Sequence, residues 1–168
     1  PVVKLRPELH ITIKSASGLS PANMFGGSSD PYVSIWDQNT GTKKKDEIWR
    51  TNYIDSTLEP QWGTPPGSGE TFSFPIEELR PKTTSVDEEY HDTSKYKTYR
   101  LDVMDYNKMT KEIFLGSVYL TPEHYHCEEG SEREEDYEWD LQAHDVRSTK
   151  ENKLAKGKLR FTVRFVYK

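Results

Sequence analysis

Apolar and polar positions alternate with a period of two along nearly the whole chain, the pattern of strands with one face on a core and one in water. Leu9, Ile11 and Ile13 open it, and Gly18 ends the first run in a loop. Val33 and Ile35 carry the second run, closed by the turn-forming stretch Asn39-Thr40-Gly41-Thr42. Residues 47–54 read as a third strand, stopped by Asp55-Ser56-Thr57 and Pro60. Phe72, Phe74 and Ile76 mark a fourth, Tyr99, Leu101 and Val103 a fifth, and residues 114–120 a sixth. Trp139 and Leu141 make a short seventh. In the last run Leu159, Phe161, Val163, Phe165 and Tyr167 alternate with Lys158, Arg160, Thr162, Arg164 and Val166. Helical periodicity is weak, with room for a turn or two at 76–79 and 123–127. Eight strands without a substantial helix predict an all-β fold, an eight-stranded antiparallel β-sandwich. Two segments read as insertions, the turn-rich 63–69 and the polar 81–96.

Composition adds a lean core and an uneven charge. The 168 residues suit one domain; 33 % are hydrophobic and 30 % charged. The net charge of −5 argues against a general nucleic-acid binder. Within that acidic total, Lys43-Lys44-Lys45 forms a basic knot with Arg50 nearby, able to face an anionic surface while the rest points away. Residues 128–138 form an acidic run, read as a solvated loop. No apolar run approaches the ~20 residues of a transmembrane helix. The single Cys127 allows no internal disulfide and suits a reducing, cytoplasmic setting. The start Pro1-Val2-Val3-Lys4 shows neither an initiator Met nor a signal-peptide pattern, so the chain is expected to be a piece of a larger multidomain protein.

Particular residues resemble a known family. Leu9 to Leu19 (LHITIKSASGL) looks like the opening strand and loop of a C2 domain, of the kind found in synaptotagmins and protein kinase C. Ser29-Asp30-Pro31-Tyr32-Val33 matches that family's most recognisable block. Leu58-Glu59-Pro60-Gln61-Trp62 with Glu70-Thr71-Phe72-Ser73-Phe74, then Leu101-Asp102-Val103-Met104-Asp105 and Phe114-Leu115-Gly116, resemble later blocks in the family's order. The likeness covers residues 9–167 apart from the two insertions, and the order of its first and last strands resembles the permutation called type II. It implies an eight-stranded sandwich, in agreement with the strand count from periodicity.

The resemblance also implies a metal question. Calcium-binding relatives hold two or three ions with five aspartates from two loops, because calcium wants ~6–8 oxygen ligands and affinity follows carboxylate number. Counted from the family's anchors, Asp30 and Asp105 are present. The other three positions fall on Met24, Asn107 and Ile113. A one-residue slip would recruit Asn23 or Glu112. The expectation is a degenerate site of Asp30, Asp105 and Asn107, with no cofactor required and calcium held at low affinity at most. The alternative is that Asp30 caps a turn and Asp105 ends its strand, with no metal.

What the resemblance leaves is a membrane surface. In membrane-inserting relatives apolar loop tips are flanked by Lys or Arg. Here Met24 and Phe25 precede Gly26-Gly27, and Met109 lies between Lys108 and Thr110, with Lys111 next. The other reading folds Met24 and Phe25 back over the vacated pocket. Lys43, Lys44, Lys45 and Arg50 lie near a strand face that binds phosphoinositides in many relatives. The expected partner is therefore an anionic phospholipid membrane, with the protein peripheral on its cytosolic side in signalling or vesicle trafficking. A protein-interaction or homodimer module is the rival. The His124-x-His126-Cys127 cluster lacks the paired spacing of a zinc site, and His10, His91 and His144 are scattered. No nucleophile elbow, phosphate loop or H-E-x-x-H motif occurs, so the chain is expected not to be an enzyme.

Overall fold

The computed structural model describes residues 6–22, 27–76 and 96–168. Its strands are β1 (Glu8–Ser17), β2 (Pro31–Asp37), β3 (Glu47–Arg50), β4 (Glu70–Pro75), β5 (Tyr99–Asp105), β6 (Ile113–Leu120), β7 (Glu132–Asp140) and β8 (Lys158–Val166). They form two antiparallel four-stranded sheets, ordered β4-β1-β8-β7 and β3-β2-β5-β6. The sandwich expected from periodicity is the one found. The last strand completes the first sheet from within, between β1 and β7, as the type II resemblance implies.

The core follows from the alternation. Leu9, Ile11 and Ile13 on β1 face inward beside Leu159, Phe161, Val163 and Phe165 on β8, and meet Val33, Ile35, Leu101 and Val103 of the other sheet. Side chains on alternate positions of paired strands lie on one face, so these runs make one continuous apolar layer. Trp62 plugs the layer at one end, its indole N–H donating to the Asn52 carbonyl at 2.9 Å. The turn-rich 63–69 folds tightly against it, with the Gly67 and Gly69 amides both donating to the Trp62 carbonyl.

Two elements differ from the sequence expectation. The third strand stops at Arg50, although the chain stays in register long enough for Thr51 and Ile54 to donate to Val33 and Pro31. The acidic run is largely strand: β7 is an edge whose Glu134, Glu138 and Asp140 lie opposite Arg164, Arg160 and Lys158 of β8. Alternating acids on one strand meeting alternating bases on the next form a ladder of opposite-charge cross-strand pairs. The short helix α1 (Pro122–Tyr125) overlaps the expected turn at 123–127, beginning one residue earlier. Apart from Tyr96, the 81–96 segment lies outside the described residues.

The second sheet has no wet face where β5 crosses it. Arg100 and Asp102 point outward, yet both are fully buried. The cover is the connection from β7 to β8, residues 141–157, which we call the strap; it carries the short helix α2 (Thr149–Asn152). The strap enters by exchanging backbone hydrogen bonds between Gln142 and Ser117 at 2.8 Å. Close approach there requires Gly116, since a Cβ at its φ of 133° would lie 2.6 Å from Leu141. It leaves through Gly157 at φ 90°, where a Cβ would lie 2.4 Å from the Ser17 carbonyl oxygen. Beneath it, Arg100 Nε donates to both Asp102 oxygens at 3.1 and 3.2 Å, and its other nitrogens donate to the Thr40 and Gly41 carbonyls. Strap residue Arg147 reaches the same carboxylate at 3.7 Å.

Asp102→Ala is expected to destabilise the fold by about 3–5 kcal/mol in urea denaturation, because it strands a buried guanidinium. Replacing both partners together, Arg100→Met with Asp102→Leu, is expected to recover most of that loss.

Candidate functional site

Four connections gather at one end of the sandwich: the described residues 18–22 and 27–30, residues 51–69, residues 106–112 and the strap. Asp30 and Asp105 sit at their base because β2 and β5 pair with Pro31 opposite Asp105. The two acids are bound into the backbone. The Asp30 amide donates to Asp105 Oδ1 at 2.7 Å, and Ser56 N donates to Asp30 Oδ1 at 2.8 Å. Asp105 is only 1 % exposed, and its Oδ2 has no hydrogen-bond partner among the described residues. Burial, chiefly, pushes its carboxyl above the ordinary 3.8; the Asp30 amide opposes this, and the charges of Asp30 and Glu112 add to it.

The remaining calcium candidates do not converge on this pair. Asn107 spends its side-chain oxygen on its own loop, accepting from the Met109 and Thr110 amides at 3.1 and 3.3 Å. Glu112 is held by the Tyr32 hydroxyl and by Arg50 Nη1 at 3.3 Å. Ile113 begins β6 and packs against the core. Asn23, Met24 and Phe25 lie outside the described residues. Among the described residues no three His, Cys, Asp or Glu side chains come together. One orphaned carboxylate oxygen invites a cation, but two acids already serving backbone amides do not fit a tight calcium centre.

The basic and apolar candidates divide into two places. Met109 is 89 % exposed at the tip of 106–112, between exposed Lys108 and Lys111. Lys43, Lys44 and Lys45 lie at the other end of β2, where Lys44–Asp46 form a short 3-10 turn. A groove of ≈ 440 Å³ along the outer face of the β3-β2-β5-β6 sheet joins the two, lined among others by Lys44, Trp36, Tyr32, Lys108 and Lys111. Arg50 lines it too, but is committed within the fold: it donates to Glu47 Oε2 at 2.7 Å and lies over the Tyr32 ring at 4.5 Å. Lys43, Lys44, Lys45, Lys108 and Lys111 make no ion pair among the described residues.

Sequence reasoning missed an aromatic pair at this end. Tyr53 and Tyr106 stack with ring centroids 4.3 Å apart and planes 7° from parallel, leaving Tyr53 46 % exposed. The available signal was Tyr106 directly after the fifth strand and Tyr53 near the end of the third expected one. At the opposite end, His124 accepts from Thr121 N at 3.0 Å and packs on Trp139, while Cys127 Sγ lies 3.8 Å from the Phe165 carbonyl oxygen. That cluster is packing, with no convergent ligands among the described residues.

Residues 7–139 match the family model described as C2 domain. Among solved structures, a C2 domain of plant extended synaptotagmin 1 aligns with TM-score 0.60 at 19 % identity, covering 96 % of this chain and 95 % of that one. Extended synaptotagmin 2, in a structure of its tandem C2 domains, aligns with TM-score 0.57 at 19 % identity, covering 97 % of this chain and 42 % of the other. Human GIVD cytosolic phospholipase A2 aligns with TM-score 0.57 at 15 % identity over 99 % of this chain but only 17 % of that enzyme. At such identities the likeness is one of fold.

Because Asp105 is raised, its contribution favours folding below its ordinary value and is lost as pH climbs through its folded value. Asp105→Asn, which keeps an acceptor for the Asp30 amide, is therefore expected to raise the melting temperature in chelator at neutral pH. In thermal melts across the acid range, that advantage should shrink as pH falls toward 3.8.

Proposed function

Because the chain belongs to the C2 domain family, we propose that it is a non-catalytic module that docks on anionic phospholipid membranes with calcium dependence weak or absent. The observation that carries this reading is Met109, exposed between Lys108 and Lys111 on the loop that follows Asp105, beside a carboxylate pair too small to hold calcium tightly. An apolar tip ringed by ammonium groups suits a surface with anionic headgroups over hydrocarbon. Family membership supports it, since C2 domains commonly dock on phospholipid. No helix among the described residues is long and apolar enough to cross a membrane, which leaves docking to loops and charge.

Magnitudes set the strength of such docking. Burying a Met side chain contributes about 1.5–3 kcal/mol, and each lysine near an anionic leaflet about 1 kcal/mol. With Met109, Lys108 and Lys111 the sum is about 3.5–5 kcal/mol, or roughly three decades of partition constant. Affinity of that order is useful when several modules act together, so the reading goes with a multidomain parent. The groove bearing Lys44 extends the positive surface away from the tip.

Co-sedimentation with phosphatidylserine-containing vesicles tests it. Binding is expected with and without calcium, reduced by added salt, and weakened at least about tenfold by Met109→Asp. Loss of all binding on chelation would instead make the domain a calcium sensor. Indifference to vesicles together with a stable dimer in solution would favour the protein-interaction reading.

A further inference from the structure

The strap carries an apolar side chain that neither the core nor the groove requires. Val146 is 62 % exposed, although residues close on both sides of it are anchored. His144 is buried, with its Nδ1 3.1 Å from the Tyr119 hydroxyl, and Asn152 clamps its backbone amide and carbonyl at 3.0 and 3.1 Å. Arg147 lies over the Phe114 ring at 4.4 Å and pairs with Glu151 at 3.0 Å. The Arg147 amide donates to the His144 carbonyl at 2.9 Å, closing a turn with Asp145 and Val146 at its tip. A stiff β-branched side chain held out between two buried anchors is ordered before any partner arrives, so binding through it loses little entropy.

Its surroundings say what it meets. Val146 lines the same groove mouth as Lys108, Thr110 and Lys111, the basic loop that presents Met109. Further along, the strap adds Lys150 and Lys153, exposed and outside any ion pair among the described residues. Against these lysines stands exposed Asp145, while Glu151 is taken by Arg147. Charge complementarity therefore favours an anionic lipid surface, with aliphatic carbon entering the interface and ammonium groups staying among headgroups.

We propose that the β7–β8 strap is a second membrane-contacting element, with Val146 entering the interface and Lys150 and Lys153 meeting anionic headgroups. The proposal rests on the membrane reading above and adds an orientation to it. The domain docks tilted, strap side down, with the charged outer face of the β4-β1-β8-β7 sheet turned away.

Wild-type protein, Met109→Asp, Val146→Asp and the pair Lys150→Glu with Lys153→Glu are compared by sedimentation with phosphatidylcholine vesicles containing phosphatidylserine. Thermal melts confirm that each is folded, as exposed positions allow. Val146→Asp is expected to weaken partitioning about tenfold, and the lysine pair by at least as much. On a Cys127→Ser background, an environment-sensitive dye at Val146→Cys is expected to shift to the blue with vesicles, and one at Glu134→Cys to stay unchanged. If Met109→Asp is impaired while both strap variants bind normally and the dye at Val146→Cys does not shift, the strap's role is overturned and the membrane reading stands. If wild-type protein ignores the vesicles, both fall.

Discussion

The buried pairing of Arg100 with Asp102 governs the face on which function is proposed. Two full charges with no exposure survive there because the guanidinium is satisfied on every side, by carboxylate and by the carbonyls of Thr40 and Gly41. Such a pair adds little net stability, but it cannot be half-removed, and it demands a roof. The strap is that roof, and Arg147 ties it to the same carboxylate. The groove, its basic walls and the turn at Val146 all take their shape from a polar stripe that must be kept dry.

At the loop end the opposite situation holds. Asp105 is buried with an oxygen left unpaired among the described residues, beside the main chain of a second acid. Ion-binding rims tolerate that strain when a divalent charge arrives to relieve it; with two carboxylates the relief is slight. What the rim presents outward is Met109 and its lysines, so in the proposed docking surface charge and apolar contact take the place of a coordinated ion.

Most of the sandwich was legible because burial enforces period two: Leu9, Ile11, Ile13, Leu159, Phe161, Val163 and Phe165 all face the core. The β7 edge was legible only at its end, through Trp139. Its earlier inward positions include Arg133 and Glu135, which are only half-buried, so no apolar alternation marks the start of the strand. Its outward acids look like a solvated run until the bases of β8 are placed opposite. The strap escaped notice for a related reason: it covers polar rather than apolar residues, so its own sequence is polar. Asp30, Asp105 and Asn107 were singled out by spacing from family anchors and Met109 by its place beside lysine on a loop tip; spacing alone does not show that the Asn107 oxygen turns to the amides of its own loop.

The ladder on β7 has a consequence for crowding. Open strand edges invite a second copy to add on, and a lipid surface raises local concentration by confining molecules to two dimensions. Glu132, Glu134, Asp136, Glu138 and Asp140 run along one outer border of the sandwich. Glu134, Glu138 and Asp140 lie opposite bases of β8, and Glu132 and Asp136 reach Arg164 and Lys14, but two such borders brought together would set carboxylate against carboxylate. Neighbouring molecules could then pack densely while the strand hydrogen-bonding that leads to aggregates is refused.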